Sequence, residues 1–166
     1  MPEQYSILLQ KMNPDSEIKD SFRDFGVVCL NEDYGTREIK SLPKRSWVGL
    51  DGDDEFIPAK LPMEAFELKI HIGYRGSKGT WRNDMDRFLD YLSGYDGKGS
   101  ELKVYFMRSG TGYPCRLKSA RPTPFFGGSE DITDVEIVFK VNNPRSKIKY
   151  IPGSMDEADK LIEEKE

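Results

Sequence analysis

The chain has 166 residues, with 25 Lys+Arg against 29 Asp+Glu, a formal charge of −4 and a mean hydropathy of −0.65. Its length fits one domain of roughly 100–150 residues with appendages, and 37% hydrophobic residues suffice for a packed core under a strongly polar surface. The charge balance disfavours a broadly basic nucleic-acid binder, and the longest clean apolar stretch, residues 25–30, falls far short of the roughly 20 residues a spanning helix needs.

The opening Met1-Pro2-Glu3-Gln4 has neither the basic nor the apolar region of a secretory signal, so a soluble chain made inside the cell is expected. Residues 5–9 read as a short strand before the turn cluster Asn13-Pro14-Asp15-Ser16, and residues 1–24 together as an N-terminal arm or first strand. Residues 25–30 read as a strand and residues 36–42 as a weaker one, closed by Pro43. Between Trp47 and Pro62, Gly, Asp and Pro dominate, which predicts an ordered loop with at most short strand pieces. The run Phe66–Tyr74 alternates, with Phe66, Leu68, Ile70, Ile72 and Tyr74 on one face and Glu67, Lys69 and His71 on the other.

After Gly76-Ser77-Lys78-Gly79 a helix is predicted, with Thr80 or a neighbour as N-cap. Trp81, Met85, Phe88, Leu89 and Leu92 form one apolar stripe that ends near Gly94. Residues 102–108 and 113–119 flank Ser109-Gly110-Thr111-Gly112 and predict a β-hairpin. Residues 121–128 read as a loop presenting Phe125 and Phe126. Residues 132–142 read as a second strong strand, with Val135, Ile137, Phe139 and Val141 facing one way. Ser154 and Glu157 have capping-box spacing, which predicts a short acidic helix to the end of the chain. The predicted organisation is an arm or first strand (1–24), a β domain (25–152) and a short acidic helical tail (153–166).

Motifs that would carry chemistry are weak. Cys29 and Cys115 sit in strand-like apolar runs and read as buried free thiols, although one bridge between them stays open. His71 is the single histidine and reads as a solvated strand residue. The segment Gly73-Tyr74-Arg75-Gly76-Ser77-Lys78-Gly79-Thr80 lies between strand and helix, but Lys78 precedes the last glycine, contrary to a phosphate loop. Asp51-Gly52-Asp53-Asp54-Glu55 resembles the start of a calcium loop. The sixth and twelfth positions hold Phe56 and Pro62, so an acidic turn is expected. No catalytic residue, cofactor or metal site is therefore assigned.

Charge is unevenly spread. Asp51, Asp53, Asp54, Glu55, Glu64 and Glu67 stand against Lys60 alone, and residues 153–166 are again acidic. Lys140, Arg145, Lys147 and Lys149 lie in a stretch without an acid. Candidate interface residues are Arg75, Lys78, Phe125, Phe126, Arg145, Lys147 and Lys149: loop and basic positions suited to protein contacts.

The order Trp47-Val48-Gly49-Leu50-Asp51-Gly52, alternating strand, amphipathic helix, hairpin and closing strand resembles the N-terminal domain of phage distal tail proteins, which is similar to the tail-tube fold. The resemblance implies a mainly β (α+β) chain: an antiparallel β-sandwich or barrel-like domain with one packed helix. It also implies a homo-oligomer, with subunits joined edge to edge in a six-membered ring among other tail or baseplate proteins. Location in the virion tail after synthesis in the bacterial host cytoplasm follows from the same resemblance, which supplies no catalytic residues. Larger relatives add a carbohydrate-binding-like domain for which this length leaves no room. A tail terminator or connector is an alternative. So is a small carbohydrate-binding β-sandwich using Trp47, Trp81 and Tyr113 as stacking faces.

Overall fold

Eleven strands and two helices are formed among the described residues, 5–13, 15–74, 80–122 and 134–164, of the computed structural model. They are β1 (Ile7–Lys11), β2 (Lys19–Asp20), α1 (Ser21–Phe25), β3 (Val27–Asp33), β4 (Lys44–Arg45), β5 (Asp54–Glu55), β6 (Phe66–Tyr74), α2 (Trp81–Ser93), β7 (Glu101–Phe106), β8 (Thr111–Pro122), β9 (Asp134–Val141), β10 (Lys147–Ile151) and β11 (Lys160–Glu164). Seven strands make one antiparallel sheet in the order β2-β1-β7-β8-β9-β6-β3.

This sheet curls until its far strand meets the beginning of the chain. The Cys29 amide on β3 donates to the Tyr5 carbonyl just before β1. Ser21, fully buried, receives a bond from the Ile7 amide and donates to the Val27 carbonyl, each at 2.9 Å. The result is barrel-like, because an edge that would otherwise template foreign strands is partly engaged within the chain. Ile7–Lys11 is thus the first strand of the sheet in chain order.

The period-two pattern decides what lies inside. Leu68, Ile70 and Ile72 of β6, Val135, Ile137 and Phe139 of β9, and Val104 and Phe106 of β7 share one core. Helix α2 closes it with Met85, Phe88, Tyr91 and Leu92. Burying each such large side chain is worth ~1.5–3 kcal/mol. Met85, Phe88, Leu89 and Leu92 of the expected stripe thus face the core, the side chain of Trp81 lies outside the described residues, and Gly94 ends the helix in the left-handed region at φ +85°. Tyr74, at the end of β6, bonds through its hydroxyl to Asp84 in the first turn of α2 and to the Thr80 hydroxyl at 3.0 Å, fixing the helix against the sheet.

Helix α1 was not anticipated. Asp20 caps it by accepting from the amides of Phe22 and Arg23, and Gly26 ends it at φ +70°. At five residues it is too short for a periodic apolar stripe to show in the sequence.

Two expectations are corrected. Residues 36–42 make no strand: Ile39 forms one bridge to Met63, flanked by the bonds of Lys40 to Pro62 and Glu64 to Glu38, and the pairing extends no further. The C-terminal helix is not formed either. Residues 160–164 are β11, paired with β10 in the register Lys147↔Glu164, Lys149↔Ile162 and Ile151↔Lys160. Leu161 is buried with Ile148 and Leu8 in a second cluster, which covers the outer side of β1 and β7. Helix propensity differs by only tenths of a kcal/mol between ordinary residues, less than the burial of one leucine.

Candidate functional site

Among the described residues, the side chains that could carry chemistry do not converge. Cys29 and Cys115 are free and buried, and burial pushes both thiols up, Cys29 to about 12, so neither is a ready nucleophile. His71 stands on the outer face of β6 with Nδ1 3.2 Å from Asp134 and Nε2 3.9 Å from Glu136, both on β9. Its position is the half-exposed one the alternation predicts. Among the described residues no group of His, Cys, Asp or Glu is arranged to hold a metal ion, and no helix is long and apolar enough to cross a membrane.

A cleft of about 920 Å³ lies where the end of β1, the end of α1 and the second half of α2 meet, lined by Lys11, Glu17, Asp24, Arg87, Tyr91 and Asp96 among others. Lys11 is 2% exposed. Its ammonium donates to the carbonyls of Tyr91 and Gly99, lies 3.6 Å from Asp96, and sits 4.2 Å from the Tyr91 ring centre. Desolvation lowers its pKa, with Asp96 opposing. This arrangement ties the end of α2 and the segment after it to the sheet, and the Tyr91 carbonyl is one of those that the last turn of a helix leaves without an intrahelical donor.

A different feature stands out on the surface. Between β3 and β6 the chain leaves the sheet as an arm, residues 34–65. At its root the Lys40 amide donates to the Pro62 carbonyl and the Glu64 amide to the Glu38 carbonyl. At its tip β4 pairs with β5, Lys44 opposite Glu55 and Arg45 opposite Asp54, and Lys44 reaches Asp53 at 3.6 Å. The arm holds its apolar side chains in solvent: Trp47 is 49% exposed, Phe56 66%, Ile57 68%, Leu50 70%, and Val48 fully. Apolar residues exposed in such a group mark an interaction surface, whereas single ones mean little. The sequence did carry a signal for them, since Trp47, Val48 and Leu50, then Phe56 and Ile57, interrupt a polar Gly/Asp/Pro loop without the period of any core element.

Of the residues singled out from the sequence, Arg75, Lys78, Phe125 and Phe126 lie outside the described residues. Arg145 is exposed beside Lys60, Leu61 and Pro62 at the root of the arm. Lys147 and Lys149 are exposed on the outer face of β10, where Lys149 comes within 4.0 Å of Glu164. The basic stretch and the C-terminal acidic stretch therefore meet within one chain.

Tyr113, a stacking face in the carbohydrate alternative, is buried edge-on against Phe66, and the Arg37 guanidinium lies 3.2 Å from the Phe66 ring centre and bonds to the Tyr113 hydroxyl. It is not available to a sugar.

No family model matches the chain, and no curated protein matches it. Among solved structures it is similar to the SPP1 Dit protein, described as a paradigm of the hub adsorption apparatus in phages that infect Gram-positive bacteria: TM-score 0.54, 19% identity, covering 86% of this chain and 52% of that one. The chain thus spans about half the length of that protein. A second similar structure comes from the tail of an empty GTA particle with sixfold symmetry, at TM-score 0.46 and 9% identity, covering 82% of this chain and 91% of that one. The mainly antiparallel β fold expected from the order of elements is the fold shared with the Dit protein.

Proposed function

We propose that this protein is a non-enzymatic structural component of a phage or prophage tail or baseplate. Copies of it join into a ring, a hexamer in the closest reading of the resemblance, and the ring meets other tail proteins in the virion after synthesis in the host cytoplasm. The observation that carries this reading is the barrel-like domain shared with the Dit protein over 86% of the chain. The exposed apolar arm supports it, because such a surface is stable in water when another protein covers it. A ring of identical subunits uses a heterologous contact, two different patches per copy, and a protruding arm supplies one of them.

Sedimentation analysis of the full chain over a wide concentration range, with negative-stain imaging, tests the proposal. Closed rings of uniform size are expected. A monomeric particle at every concentration, alone and with the neighbouring tail proteins added, overturns it.

A further inference from the structure

We infer that the arm tip of one copy docks on the outer face of the β10–β11 hairpin of the next copy; this rests on the ring-forming reading above. The argument begins with two surfaces that are uncovered in a single chain and opposite in character. The arm tip presents the carboxylates Asp51, Asp53, Asp54 and Glu55 against Lys44 and Arg45, around exposed Phe56 and Ile57. The hairpin's outer face presents Lys147, Lys149 and Lys160 against Glu164, around Ile151 and Ile162, each about two-fifths exposed.

The register makes the hairpin face a continuous patch. Lys147 pairs with Glu164, Lys149 with Ile162 and Ile151 with Lys160, so all six side chains leave the same side of the two strands, while Ile148 and Leu161 turn inward. An exposed apolar pair on a face with a surplus of cations is therefore offered to solvent on one copy, and an exposed apolar pair on a tip with a surplus of carboxylates on the other. Both apolar pairs lose water contact if the two faces meet.

Charge also selects the mode of contact. Arm against arm would set carboxylates on carboxylates, and hairpin against hairpin would set lysines on lysines; like charges juxtaposed at an interface disfavour the wrong pairing. Arm against hairpin is the remaining combination of the two, and it is head-to-tail. Such a contact, repeated, closes into a ring when the rotation permits. The internal bridge between Lys149 and Glu164 leaves Lys147 and Lys160 as the lysines most open to a partner.

Cysteine pairing in the full chain tests the inference. Ile57→Cys and Ile162→Cys are introduced into separate chains, the chains are mixed under oxidising conditions, and products are read on a non-reducing gel; native Cys29 and Cys115 are buried and free. A covalent dimer is expected in the mixture and not with either variant alone. Charge swapping gives a second readout: Lys147→Glu with Lys160→Glu weakens self-association ~tenfold or more, Asp51→Lys with Asp54→Lys does the same, and combining all four restores it. Oligomers in sedimentation without a cross-link in the mixture and without charge rescue overturn the docking while leaving ring formation standing. A cross-link of Ile57→Cys with itself also overturns it, in favour of arm-on-arm contact. Monomers throughout overturn both readings.

Discussion

The amide of Cys29 donates to the carbonyl of Tyr5 over 2.9 Å, which joins the far strand of the sheet to the start of the chain. Beside this seam the Ser21 hydroxyl bonds both Ile7 and Val27. Ser21→Ala leaves a buried amide and a buried carbonyl without that partner, so a loss of ~1–3 kcal/mol in urea denaturation is expected. Hydrogen exchange should accelerate first at the amide of Ile7.

Lys11→Met removes a buried ammonium that two carbonyls and Asp96 share. A cost of ~1.5–3 kcal/mol at neutral pH is expected, the value of hydrogen bonds from a charged donor. The pH dependence has a definite sign. Burial holds the folded-state pKa of Lys11 below the ordinary lysine value of 10.5, so the unfolded chain binds the proton more tightly in the window between the two. Stability of the wild type therefore gains a rising contribution from Lys11 as pH climbs from the folded-state pKa to 10.5. The variant lacks this gain, and the difference in stability between the two proteins should widen on the alkaline side. Denaturant titrations in steps of pH check it.

Leu161→Ala should cost ~2–4 kcal/mol if β11 is packed as described, because Leu161 is buried against Leu8 and Ile148. A frayed C-terminal helix would show almost no effect. Amide exchange along residues 147–151 and 160–164 separates a local opening of the hairpin from loss of the whole fold.

Phe56→Ser and Leu50→Ser should leave unfolding stability within ~0.5 kcal/mol of the wild type, as for surface changes generally. Each should nonetheless weaken self-association. Stability and sedimentation measured on the same preparations reveal this split, which a core role for these side chains would not produce.

Much of the scaffold was legible because its signals are local. The alternation in Phe66–Tyr74 and 132–142, the stripe of α2 and the Gly-containing turn at Gly110 each follow from a period or a turn preference within a dozen residues. The misread segments are those where a partner distant in sequence outweighs local preference. Residues 160–164 carry a capping-box start and good helix formers upstream and within, yet pair with Lys147–Ile151. Lys11, whose charge alone gives no sign of burial, alternates onto the inner face with Ile7 and Leu9 and finds its acceptors near residues 91 and 99.

Composition and periodicity alone thus point to a mainly β chain of modest net charge with α2 as its covering helix. The small value of −4 says little about where charge lies. Folding sets part of the acidic surplus against the basic run inside the same hairpin and carries another part outward on the arm with Phe56 and Ile57. The reason is physical: side-chain period is a property of neighbouring residues, whereas strand pairing, burial of a lysine and exposure of an apolar arm depend on which distant backbone groups and surfaces come together.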